Sequence, residues 1–72
     1  MKINDTVRCL YGDGIVQGRT ESGGMLVRFP VEGVEKFRMV GGCWPLGSLF
    51  STLRPGLNLV LMEIPVKFLR KV

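Results

Sequence analysis

The sequence predicts a single all-β domain over residues 1–72, a small barrel of five to six short antiparallel strands with a long loop at 41–56. Three observations carry this expectation. Ten glycines and four prolines cut the chain into short apolar runs, as turns between strands do. Within several runs apolar and polar residues alternate, the period of a strand with one buried face. No segment holds a helical apolar stripe for ten residues, so no long amphipathic helix is expected.

Asp5–Tyr11 reads as the first strand, with Val7, Cys9 and Tyr11 on one face and Thr6 and Arg8 on the other. Gly12-Asp13-Gly14 reads as the turn after it, because glycine takes positive φ at no steric cost. Ile15–Thr20 is the second strand, and Glu21-Ser22-Gly23-Gly24 has the composition of a hairpin turn. Met25–Phe29 is the third strand, with Val27 and Phe29 inward and Arg28 outward. Pro30 has no N–H, so it should end the pairing or place the strand on an edge. Gly33 marks another turn. Val34–Val40 is a fourth strand candidate, alternating Glu35, Phe37 and Met39 against Lys36 and Arg38.

Residues 41–56 have no period and read as a long loop, with one helical turn at Leu46–Leu53. A loop this long in so small a domain points to function. Leu57–Ile64 is apolar on both faces, which suits a strand buried on both sides or one in an interface. Either this run or Val34–Val40 serves as the fourth barrel strand. Pro65 breaks the run, Val66–Leu69 suits a 3₁₀ turn, and Arg70–Val72 is a final short strand.

Composition favours a binding module over an enzyme. The chain has no histidine, so the commonest general base and metal ligand is missing. Ser22, Ser48 and Ser51 have no base beside them in any recognisable spacing. Gly12-Asp13-Gly14 lacks the third glycine of a dinucleotide loop. Cys9 and Cys43 are 34 positions apart with no Cys-x-x-Cys, which argues against zinc. The expectation is no catalytic set, no metal and no cofactor. The cysteines read as reduced, buried thiols of a cytoplasmic protein. Met1–Arg8 is polar and charged, unlike a secretory signal. The longest apolar run, Leu57–Met62, is too short to cross a bilayer, so no membrane partner is expected.

The net charge is +4 and is unevenly spread. Residues 1–24 sum to zero, 25–48 to +1 and 49–72 to +3. Lys67, Arg70 and Lys71 carry much of the excess. They suit phosphate contacts or an acidic protein surface, or they form a solvated terminus that keeps the chain soluble. Arg8, Arg19, Arg28 and Arg38 are the polar members of different strands. Outward residues of adjacent strands can align into a basic stripe, or these arginines pair with Glu21, Glu32 and Glu35. Tyr11, at the first turn, is placed to stack on a base. Phe29, Phe37 and Phe68 are assigned to the core.

A second candidate surface is apolar. Trp44, Leu46, Leu49 and Phe50 lie close together in the 41–56 segment, and Leu59 and Leu61 belong to the doubly apolar strand. Aromatic residues on a loop are typical anchors of protein interfaces. The alternative is a loop folded back to plug one end of the barrel.

Two resemblances sharpen the fold. Asp5–Phe37 is similar to the Tudor-like domain at the C-terminus of UvrD/PcrA-type helicases and to the RNA-polymerase-interacting domain of the CarD family. The matching positions are Asp5, Val7, Tyr11, Gly12, Gly14, Val16, Val27 and Phe29, with Asn4 where those families have glycine. The ending Leu61–Val72 resembles the last strand, Pro-Val, 3₁₀ turn and terminal strand of many SH3-like barrels. The type II dihydrofolate reductases, which are small tetrameric barrels, end this way. Leu61-Met62-Glu63-Ile64 lacks the glutamine and tyrosine of their active-site strand, so the resemblance does not extend to folate reduction. It implies a small SH3-like, Tudor-like barrel that can self-associate. The helicase and CarD-type domains imply a nucleoprotein machine such as RNA polymerase, or DNA, as partner.

Overall fold

In the computed structural model, residues 2–37, 44–53 and 58–72 are described. Six strands, β1 (Thr6–Cys9), β2 (Gly12–Arg19), β3 (Gly24–Pro30), β4 (Ser48–Leu53), β5 (Leu59–Pro65) and β6 (Arg70–Lys71), pair into one antiparallel sheet. Their order across the sheet is β4-β5-β3-β2-β1-β6. One short helix, α1 (Val31–Glu35), follows β3, and a 3₁₀ turn (Val66–Phe68) joins β5 to β6. The all-β expectation holds.

The first hairpin is tighter than the glycine pattern suggests. Cys9 pairs directly with Gly12, so Leu10 and Tyr11 form the turn and the glycines open β2. Gly12, at φ +97°, supplies the left-handed residue that the tight connection needs. Gly14 faces Val7 across the pair. A Cβ at Gly14 would lie 2.6 Å from the Phe29 ring and 2.7 Å from Val27. Its missing side chain is therefore what lets β2 close over the core.

The core comprises Val7, Tyr11, Val16, Met25, Val27, Phe29, Val34, Val60, Met62, Ile64 and Leu69. Val7, Val27 and Phe29 point inward as their alternation predicts. Tyr11 packs edge-on against both Phe29 and Phe37, at centroid distances of 5.6 and 5.7 Å. Trp44 and Leu46 are half-buried against the same cluster.

Two expectations are corrected. Residues 31–35 form helix α1, where the alternation from Val34 suggested a strand. Pro30 caps α1 in an extended conformation, and the apolar residues Val31, Val34 and Phe37 recur at a spacing of three on the core side. That spacing is helical, and it overrides the weaker alternation that follows. Residues 38–40 of that candidate, with Arg38, lie outside the described residues. The second correction is β4. Residues 48–53 are a strand, where a loop with a helical turn was expected. Its register against β5 shifts between Leu49 and Ser51. A bulge of this kind inserts one residue and breaks the two-residue alternation, so the strand left no period to read.

β3, β5 and β6 lie close to their expected positions, whereas β2 begins at Gly12, three residues before Ile15, and Gly33 sits inside α1 and not at a turn. Pro30 ends β3, although that strand is interior and not an edge. β5, the described part of the Leu57–Ile64 run, lies between β3 and β4 with Val60, Met62 and Ile64 buried and Leu59 and Leu61 half-buried, and Pro65 ends it before the 3₁₀ turn. Residue 57 lies outside the described residues.

Candidate nucleic-acid interface

Three basic residues, Arg8, Arg70 and Lys71, meet at the β6 end of the sheet. β6 adds to the free side of β1 through the pairs Val7↔Lys71 and Arg8↔Arg70, and the Val72 N–H donates to the Thr6 carbonyl. Arg8, Arg70, Lys71 and Val72 line one open cleft of about 210 Å³. Arg8 and Arg70 therefore face each other across two strands. Like charges directly opposite in an antiparallel pair are destabilising.

Two carboxylates temper this charge. On its other flank Arg8 pairs in register with Asp13, and its Nε donates to Asp13 Oδ1 at 2.7 Å. The guanidinium holds the Asp13 carboxyl below the usual carboxylate range, and Asp13 in turn raises Arg8. Lys71 Nζ lies 3.8 Å from Asp5 Oδ2. Asp5 is also held low, chiefly by the backbone N–H of Lys2, which donates to it at 2.8 Å. Arg70 has no ion-pair partner among the described residues. The pairing of arginines with Glu21, Glu32 and Glu35 is not seen among the described residues, whose ion pairs involve Asp5 and Asp13.

Arg28 on β3 is half-buried, opposite Ile15 on one side and Leu61 on the other. It lines a separate shallow groove with Thr6, Asp13, Gly14, Ile15, Pro30 and Leu59. Asp13 thus stands between Arg8 and Arg28. Lys67 is exposed on the 3₁₀ turn, with Nζ 5.2 Å from the centroid of the Phe68 ring.

Both aromatic assignments change. Tyr11 is only 3% exposed, and its hydroxyl donates to the Leu46 carbonyl and accepts from the Leu46 N–H. With its ring between Phe29 and Phe37, Tyr11 has no face free for a base. Its position in a two-residue turn tucks it inward. Phe68, assigned to the core, is instead 47% exposed, because the 3₁₀ turn buries Leu69 and displays Val66–Phe68.

The apolar candidates divide. Trp44 and Leu46 pack against the core as a plug would, while Leu49 and Phe50 stand out at 42% and 60% exposure on β4. Leu59 and Leu61 are half-buried on β5. Cys9 is a free, half-buried thiol whose pKa is pushed up by burial. Cys43 lies outside the described residues. No cluster of three or more metal-binding side chains occurs among the described residues, and no helix there is long and apolar enough to cross a membrane.

The sequence did not single out Asp13 as a countercharge. A two-residue turn at Leu10 and Tyr11 puts positions 8 and 13 opposite, so the signal was the turn length. No family model, curated protein or solved structure matches the chain.

Proposed function

We propose that this chain is a non-catalytic binding module, an SH3-like barrel that engages nucleic acid or the nucleic acid of a nucleoprotein machine. The observation that carries the reading is the Arg8–Arg70 pair, facing across β1 and β6 with Lys71 in the same cleft. Facing cations cost stability while the cleft is empty. A phosphate between them removes that cost and gains charge-assisted hydrogen bonds. The resemblance of Asp5–Phe37 to helicase and CarD-type domains fits a nucleoprotein machine, and it implies the machine's protein surface as a partner as readily as its DNA. A cytoplasmic setting and the lack of a cofactor belong to this proposal.

The test is affinity for a short DNA duplex at about 50, 100 and 200 mM salt, a range over which phosphate-dominated binding falls steeply. Wild type should lose affinity linearly on a log–log plot. Arg70→Ala should weaken binding and reduce the slope by about one phosphate contact. Affinity flat across that range would sink the reading.

A second reading is an assembly module forming a homo-oligomer. It rests on Leu49 and Phe50, two exposed apolar residues on a terminal strand whose sequence, Ser-Leu-Phe-Ser-Thr-Leu, carries no charge.

A further inference from the structure

We infer that Phe68 is a base-stacking residue and that the preferred ligand of the basic end is single-stranded nucleic acid. This rests on the nucleic-acid reading above and specifies its substrate. Phe50 and Phe68 are both strongly exposed aromatics. Phe50 sits on an uncharged strand. Phe68 sits in Lys67-Phe68-Leu69-Arg70-Lys71, where three cations fall within five residues.

The local fold explains why the ring is displayed. Pro65 enters the 3₁₀ turn in an extended conformation, and the Leu69 N–H closes it onto the Val66 carbonyl at 2.9 Å. Leu69 is buried and anchors the turn. Val66, Lys67 and Phe68 are therefore held outward, immediately before the strand that carries Arg70 and Lys71. Exposing a phenyl ring forgoes its burial energy. Here the ring is partly sheltered by its own Lys67 ammonium in a cation–π contact.

A nucleic-acid strand satisfies both groups at once. An unpaired base stacks on the ring, and Lys67 exchanges the ring for a phosphate. Stacking tolerates any base, because every base has a π-face. In a duplex those faces are covered by neighbouring bases, so the ring favours single strands.

The experiment compares a short labelled oligothymidine with a duplex of equal length, by fluorescence anisotropy at moderate salt. Phe68→Ala should weaken single-strand binding about tenfold or more, with duplex affinity and the single-strand salt slope little changed. Phe68→Tyr, which keeps the ring, should bind like wild type. Thermal midpoints of both variants establish that each is folded. If Phe68→Ala binds the single strand as tightly as wild type, the stacking role is overturned and the charge reading stands. If wild type binds neither oligonucleotide, both fall together.

Discussion

Tyr11 shows how much one side chain decides here. Its ring fills the space between Phe29 and Phe37, and its hydroxyl serves both backbone groups of Leu46, thirty-five positions away. It thereby ties the first hairpin to the segment that leads into β4. Tyr11→Phe keeps the ring and leaves those two groups without their partner, at a cost of about 1–3 kcal/mol, measurable by urea denaturation. Burial pushes the Tyr11 phenol above its ordinary value. A raised folded pKa means that stability is fully present below the unfolded value and is lost as pH rises through the folded one. Wild type should therefore lose stability above about pH 10, and Tyr11→Phe should show less of that loss. Equal alkaline profiles would remove Tyr11 as the cause. The alternation of Val7, Cys9 and Tyr11 told which face this residue joins. It did not tell that a turn residue reaches the core, because that depends on Gly12 and the aromatic partners brought in by β3 and by the residues after α1.

At the scale of elements, the two ends of the sheet contrast. β6 is two residues long and is guarded by Arg70 and Lys71, a common defence of an edge strand. β4 is six residues long, uncharged and without proline. Its bulge between Leu49 and Ser51 bends it, yet Leu49 and Phe50 remain exposed. If β4 is an assembly surface, the double substitution Leu49→Ser and Phe50→Ser should convert an oligomer into a folded monomer. Light scattering gives the mass, and an unchanged mass for the two proteins would exclude β4 as the contact. The strands that were legible, β1, β2, β3 and β5, are regular for most of their length or bounded by glycine and proline. α1 and β4 depart from the local sequence pattern for opposite reasons. α1 is one turn long, too short for a periodic signal to outweigh neighbouring alternation. β4 had its alternation erased by one inserted residue.

Across the whole molecule, charge is sorted by topology. Arg8 comes from the first strand and Arg70 and Lys71 from the last, and the β1–β6 pairing unites them. The acidic residues Asp5 and Asp13 enter the same region with the first hairpin. Asp13→Asn would release Arg8 from its ion pair and raise the net charge by one. Nucleic-acid affinity should rise severalfold at low salt, with a steeper salt dependence. Unchanged binding would mean that Arg8 does not contact the ligand. The ion pair is exposed on both sides, so its own loss costs little, and the uncovered Arg8–Arg70 repulsion should lower stability by a further small amount.

The all-β class, most strand positions, the inward faces of β1 and β3, and the basic bias of the C-terminal third are legible in the order of the residues alone. These are local properties, set by side-chain period, by the φ preferences of glycine and proline, and by composition. That Tyr11 is core and Phe68 surface, that Asp13 tempers Arg8, and that Arg8 meets Arg70 follows only from how the strands pair. Each of those depends on pairing between distant segments. A one-residue change of turn length or a single bulge reverses which face a side chain joins, and hydrophobicity alone does not encode which phenyl ring is left outside.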